Sequence, residues 1–176
     1  GPLGRVERLR AAVQAGALGA VEELLDQGAK IGTASWTGET ILHAAAAGGW
    51  PQVCSLLAAR GAPLEARTAG EGRTPLLEAA AHGHFEAVAA LASKGADVNA
   101  RDTAKGWSAL VWAAHHGHAL TVETLLRAGA TRALKAESKF DPVRRGMGAL
   151  EVAQAAGRAQ VAELLQTWDE ARPGGG

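Results

Sequence analysis

Apolar residues recur along the chain with the spacing of short amphipathic helices. Between Thr74 and Gly83, three of them share one helical face: Leu76, Ala79 and Ala80. Thr74 is a favourable N-cap, and Pro75 suits the first helical position because the N–H that it lacks would have no partner there. Gly83 predicts the end of this helix, since glycine adopts a left-handed C-cap at little cost. A second helix is predicted to start at Phe85 and to stop at Gly95.

This pair of helices recurs five times along the chain. The stretches 73–100 and 107–134 align with a shift of 34 residues, and 39–66 fits the same frame. Shorter copies stand at the two ends, as LRAAVQAGALGAVEELLDQGAKI and ALEVAQAAGRAQVAELLQTW. One pair cannot bury its own apolar face, whereas five stacked pairs can. The pattern therefore predicts an all-α solenoid.

The repeated motifs resemble those of the ankyrin repeat family. The segments TILHAAAAGGW, TPLLEAAAHGH and SALVWAAHHGH are similar to Thr-Pro-Leu-His-x-Ala-Ala-x-x-Gly-His, and KGADVNA matches the second family motif. The resemblance implies an all-α ankyrin-repeat solenoid of about five helix-turn-helix repeats with hairpin-like loops, over residues 5–168. The expected repeats are 5–33, 34–66, 67–100, 101–133 and 134–168, the last with an inserted loop at 137–145.

Residues outside the repeats and the composition narrow the picture further. The opening GPLG, residues 1–4, is typical of the remainder of a cleaved purification tag, and residues 169–176 form a polar, glycine-rich tail. The formal net charge is zero, which gives no field that attracts nucleic acid or anionic membrane. No apolar run approaches the roughly 18 residues that a membrane span needs. Cys54 is the single cysteine, so an intrachain disulfide and a multi-cysteine zinc site are excluded. We expect a monomeric domain inside the cell, in the cytoplasm or nucleus, with no nucleic-acid or membrane partner.

Three of the six histidines crowd into the stretch VWAAHHGHAL, which suggests a metal site, a general base or a structural role. The resemblance implies that His43, His84 and His118 are structural residues that bind backbone groups at helix ends and turns. His115 and His116 are adjacent on a helix and point about 100° apart, so they chelate a metal poorly together. We expect neither a metal nor a cofactor.

The scarce aromatic residues point to a binding surface. Trp36 lies in a hairpin, Trp107 follows a hairpin glycine, and Trp112 lies on the first helix of its repeat. In the ankyrin family, hairpin tips and first helices line the concave face that binds partners, and tryptophan is enriched at binding hot spots. The alternative is that stacking of the repeats half-buries these rings. The predicted partner-binding residues are Trp36, Glu39, Arg73, Glu78, His82, Trp107, Trp112, His115, His116, Phe140, Arg144 and Arg145.

An insertion interrupts the last repeat. Gly117 and Gly157 are 40 residues apart, whereas Gly83 and Gly117 are 34 apart. Between residues 127 and 145 there are six basic and two acidic side chains, a local net charge of +4, with Phe140 as a possible anchor. The insertion is either a binding element that attracts an acidic segment or a solvated, mobile loop. In both cases we expect it to be separable from the fold.

These features favour a non-catalytic protein–protein interaction module over an enzyme. The module would bind a peptide segment or a folded partner on its concave face, and the partner would offer an apolar anchor and mixed charges. No Ser-His-Asp arrangement, carboxylate pair or phosphate-binding loop stands out. The remaining alternative is a structural spacer or self-association element of a larger protein.

Overall fold

The structure, a computed structural model, describes residues 4–137 and 141–169, and these residues form ten helices in five consecutive pairs. The helices are α1 (Arg5–Gln14), α2 (Leu18–Asp26), α3 (Ile41–Gly48), α4 (Pro51–Ala59), α5 (Pro75–Ala81), α6 (Phe85–Ser93), α7 (Ala109–His116), α8 (Ala119–Arg127), α9 (Ala149–Ala155) and α10 (Ala159–Thr167). The odd-numbered helices pack on one another in chain order, and so do the even-numbered ones. The result is a two-layered stack of repeats, which confirms the predicted all-α solenoid.

Hydroxyl side chains cap the odd-numbered helices of the middle repeats. Thr40, Thr74 and Ser108 each accept a hydrogen bond from the backbone N–H three residues later. Such a cap satisfies one of the N–H groups that have no partner within the helix. In the last repeat Gly148 has no side chain, and the carboxylate of Glu151 instead accepts from the Gly148 N–H at 3.1 Å. The Thr or Ser positions of the repeated motif thus mark the helix starts.

Small residues let the odd-numbered helices approach one another closely. Several alanines on these helices have no exposed surface, among them Ala79, Ala80, Ala113 and Ala114. Both layers supply larger core side chains, among them Leu57, Leu91 and Leu125 of the even-numbered helices, which are also fully buried. Five stacked pairs therefore share one continuous core, as the apolar spacing predicts.

A side-chain N–H at the start of each even-numbered helix from α4 onward binds a carbonyl near the end of the odd-numbered helix of the repeat before. The four donor–acceptor pairs are Trp50 Nε1 to Gln14 O at 3.3 Å, His84 Nε2 to Ala47 O at 3.0 Å, His118 Nε2 to Ala81 O at 3.3 Å and Arg158 Nε to His115 O at 3.0 Å. Each bond satisfies a carbonyl that the helix itself leaves without a partner. The structural role expected of His84 and His118 is confirmed, and an indole or a guanidinium fills it equally well.

The same side chains lie directly against the helix-ending glycines of the repeat before. Gly83 has φ +75°, and a Cβ added there would lie 2.7 Å from the ring of His118. Gly49 stands in the same relation to His84. Glycine is therefore required twice at these positions, by the left-handed backbone and by the close approach of the next repeat.

The hairpin-like loops between repeats are also joined to one another. We call residues 34–40, 67–73 and 101–108 hairpins two, three and four. The Ala69 N–H donates to Thr37 O at 2.6 Å, and the Thr103 N–H donates to Glu71 O at 3.0 Å. These backbone bonds hold successive hairpins in a fixed register beside the helices.

Replacement of Gly83 by Ala tests the contact between repeats. We expect Gly83→Ala to lower the free energy of unfolding by about 2–4 kcal/mol, since it adds a steric conflict to the penalty of a left-handed alanine. Gly157→Ala is the matched control, because Gly157 has φ +71° and nothing within 4 Å of the added Cβ. Urea denaturation measures both. Equal losses for the two variants would show that the ring contact contributes nothing.

Candidate functional site

The three tryptophans predicted to face a partner differ sharply in exposure. Trp36, in hairpin two, is 94% exposed, as predicted. Trp107 is fully buried and Trp112 is 7% exposed, so the expectation that their indoles lie open on the groove is wrong. The two rings pack on each other with their centroids 4.6 Å apart, beneath hairpin four. Stacking of the repeats therefore buries them more completely than the half-burial that was the alternative.

A buried aspartate holds this indole pair in place. Asp102 is 3% exposed, and its Oδ2 accepts a hydrogen bond from Trp112 Nε1 at 2.6 Å. Its Oδ1 accepts from the backbone N–H of Lys105 at 2.7 Å, which shapes the turn of hairpin four. Asp102 was not among the predicted site residues. An aspartate followed closely by a turn glycine, as in DTAKG, is the sequence signal for such a turn.

Three cations cover the indole pair. The Arg73 guanidinium lies 4.3 Å from the Trp112 ring centroid, and Lys105 Nζ lies 4.8 Å from Trp107. The Arg144 guanidinium lies 5.6 Å from the same ring. Cation–π contacts of this kind contribute about 0.5–2 kcal/mol each. We call these residues, with Asp102, the indole–cation cluster: Arg73, Asp102, Lys105, Trp107, Trp112 and Arg144.

Part of the insertion packs on the stack through this cluster. Besides the contact of Arg144 with Trp107, the Ala136 N–H donates to Met147 O at 2.8 Å, and the Gly146 N–H donates to Ala136 O at 2.7 Å. The second half of the insertion thus contacts the stack through Arg144, and its separability from the fold stays a prediction. Arg145 is exposed, and Phe140 lies outside the described residues.

Repeats two and three contribute three carboxylates to the site: Glu39, Glu71 and Glu78. Glu78 Oε1 lies 3.6 Å from Arg73 Nη1, and Glu78 Oε2 lies 3.7 Å from His82 Nδ1. Glu71 Oε2 lies 2.9 Å from Arg73 Nε. Glu39, at the end of hairpin two, is half-buried. Arg73 thus connects the carboxylates of repeat three to the buried indole of repeat four.

The two adjacent histidines pack against the buried indoles. The His116 ring is stacked on Trp112 at 5.8 Å, and the half-buried His115 meets the edge of Trp107 at 5.2 Å. Burial first, and then the positive charge of Arg144, lowers the pKa of His115 below its ordinary value. Burial and then the neighbouring His118 lower the pKa of His116. Their environment thus favours neutral rings at neutral pH.

The ring of His82 stacks on His84 at 6.0 Å. Its Nδ1–H donates to Glu78 O at 2.8 Å, so this edge of the ring is engaged by its own helix. Among the described residues, no group of three or more His, Cys, Asp or Glu side chains is placed to hold a metal ion. These histidines and carboxylates thus form a polar surface next to the buried indole pair.

Comparison with known families agrees with this architecture. Residues 9–102 match a family profile described as ankyrin repeats in three copies, and residues 105–135 match one described as ankyrin repeat. The chain belongs to the ankyrin repeat family. A search of curated proteins finds no significant match. The helices α9 and α10 pack on α7 and α8 and extend the ankyrin array beyond the matched residues.

Ankyrin repeats are in general protein–protein interaction modules, so this chain is placed among binding proteins. None of the helices in the described part of this ankyrin chain is long and apolar enough to cross a membrane. We call the exposed and half-buried residues of α3, α5 and α7, of the residue that follows each of these helices, and of hairpins two, three and four the groove face. It contains Trp36, Glu39, Glu78, His82 and His116.

Alanine substitution of Trp36 and of Trp112 distinguishes an exposed side chain from a side chain of the core. We expect Trp112→Ala to lower the free energy of unfolding by about 3–5 kcal/mol, because the ring and its bond to Asp102 are buried. Trp36→Ala should change it by less than about 0.5 kcal/mol, because the ring is 94% exposed. Urea denaturation of both variants measures the difference. A loss below about 1 kcal/mol for Trp112→Ala would show that its ring is not part of the core.

The histidine pKa values predict how stability depends on pH. The pKa values of His115 and His116 are lower in the folded state than the ordinary 6.5, so the unfolded chain binds more protons as the pH falls through 6.5. Stability should be constant above about pH 7 and fall from there to about pH 5.5, where carboxylates remain ionised. The His115→Gln/His116→Gln variant should show a flatter profile in chemical denaturation. An identical slope in both proteins would contradict this assignment.

Proposed function

We propose that this ankyrin domain is a non-catalytic module that binds a peptide segment or a folded partner on its groove face. The observation that carries the proposal is the exposure of Trp36 on a hairpin whose ends are fixed. The Ser35 N–H donates to Glu39 O at 2.9 Å, and Thr37 O accepts from hairpin three. A large apolar side chain on a rigid support loses little conformational freedom on binding, which favours its use as an anchor.

The buried cluster supports the same proposal indirectly. Trp107 and Trp112 do not offer ring surface to a partner, but the packing of their rings joins hairpin four to α7. Residues that border this cluster remain accessible, among them His82, whose side chain is 50% exposed, and the exposed His116. A pre-formed surface of this kind leaves most of the ordering cost to the ligand. We place Arg144 and Arg145 at the rim, where the insertion adds positive charge.

The partner chemistry follows from the side chains on this face. An apolar group would cover the Trp36 indole, and polar groups of both signs would meet the carboxylates and the basic rim. Charges at such a rim act mainly on association rate and specificity. We therefore propose a protein partner with an apolar anchor and mixed charges. The alternative, self-association through Trp36, predicts a dimer in sedimentation at micromolar concentration, whereas the leading proposal predicts a monomer.

Affinity capture from native lysate, followed by affinity measurements with the captured partner, tests the proposal. Trp36→Ala should weaken binding by at least about tenfold, the loss expected of a hot-spot aromatic residue, with unchanged stability. Leu120→Ala is the matched control, since Leu120 is 58% exposed on α8 in the other layer. A partner that loses affinity with Leu120→Ala and not with Trp36→Ala would place the interface on the even-numbered helices and refute the proposal.

A further inference from the structure

A narrow cleft opens on the groove face between repeats two and three. Its volume is about 110 Å³, and its lining residues are Glu39, His43, Ala47, Thr68 and Glu78. Ala47 is small and gives the cleft its depth. The volume suits the charged end of one long side chain, whereas an indole would not fit within it. The cleft begins three residues after the exposed Trp36, at the end of the same hairpin.

Two of the four polar side chains that line this cleft are carboxylates. Within the described part of the chain, the Glu39 carboxylate has neither a hydrogen bond nor an ion pair. The partners of Glu78, on Arg73 and His82, stand at 3.6 and 3.7 Å, so the oxygens of Glu78 retain capacity to accept hydrogen bonds. The two carboxylates line one cleft, and Arg73 offsets only part of their charge.

His43 forms a neutral wall of the cleft. Its Nδ1 accepts from the Thr40 N–H at 3.1 Å, and its Nε2–H donates to the carbonyl of Arg73 at 2.9 Å. Both ring nitrogens are therefore engaged by the backbone. The ring is buried and neither supplies a cation to the carboxylates nor competes with one.

The junction between repeats three and four carries different residues at the positions that correspond to Glu39 and Glu78. In the repeat register, Glu39 corresponds to Arg73, and Glu78 corresponds to Trp112. Between repeats three and four, the Arg73 guanidinium lies against the Trp112 ring at 4.3 Å and close to carboxylates on its other side. At that junction a cation therefore holds the position of Glu39, and it packs against the ring that holds the position of Glu78. Between repeats two and three, the corresponding pair is two carboxylates beside an open cleft.

We propose that the cleft receives a lysine or arginine side chain of the partner segment. The ammonium or guanidinium group donates hydrogen bonds to Glu39 and Glu78, and an apolar residue of the same segment covers Trp36. Charge complementarity selects this occupant, because a carboxylate would face two like charges, and an apolar group would desolvate the Glu39 carboxylate without giving it a partner. The inference rests on the proposed function, since it names the chemistry that the groove face recognises.

A displayed library of random dodecapeptides, selected on the whole chain, is the probe. Selection on wild type should enrich peptides that carry one basic residue at a constant spacing from an apolar residue. Selection on Glu39→Gln should lose the basic residue, and the fold should persist because the substitution removes a repulsion. Glu22→Gln is the matched control, since Glu22 is exposed on α2 in the other layer. It should select the same peptides as wild type.

A double-mutant cycle with a selected peptide then locates the basic residue. Replacement of its lysine by norleucine, or of its arginine by citrulline, should weaken binding to wild type about tenfold and to Glu39→Gln less than about twofold. Equal losses for the two proteins would overturn the inference, as would peptides that depend on Trp36 and carry no basic residue. These outcomes leave the proposed function intact. An empty selection, or peptides insensitive to both Trp36→Ala and Glu39→Gln, would refute the proposed function as well.

Discussion

The architecture depends on the contact by which each repeat reaches back to the one before it. The residue that follows each helix-ending glycine donates a side-chain N–H to a carbonyl near the end of the odd-numbered helix in the repeat before. The same side chain lies against the glycine that ends that helix. Because every repeat makes the contact at the same place, the distance and rotation between neighbours are set locally. The hairpins follow the same spacing between repeats. Together with the odd-numbered helices they form the groove face.

On the groove face, two successive junctions between repeats carry different side chains at equivalent positions. At the junction of repeats three and four, Trp112 and Arg73 occupy the facing positions and close the surface over a buried aspartate. At the junction of repeats two and three, Glu78 and Glu39 occupy them and leave a cleft. The repeat register is the same at both junctions, and the side chains at these positions decide whether a junction is closed or leaves a cleft. This is how a repeat array combines a common scaffold with individual binding properties.

The repeat, its helix boundaries and its structural histidines were predictable, because apolar spacing, Thr or Ser caps and turn glycines act within a few residues of one another. The burial of Trp107 and Trp112 was not predictable in this way. It depends on the acceptor that Asp102 of the same repeat provides for the indole N–H, and on the packing of Arg73 and Arg144 from the two neighbouring repeats. Position in a hairpin therefore indicated exposure correctly for Trp36, whereas position on the groove side of α7 misled for Trp112. The cleft beside Glu39 likewise appears only when two repeats are placed together.

The central claim is that recognition takes place on the groove face of repeats two to four. Hydrogen exchange of the whole chain, with and without a saturating concentration of the captured partner, tests it most directly. The account predicts that protection increases in hairpins two and three and in α3 and α5, while α4 and α6 exchange as in the free protein. Increased protection in α4, α6 and α8 with unchanged hairpins would contradict it.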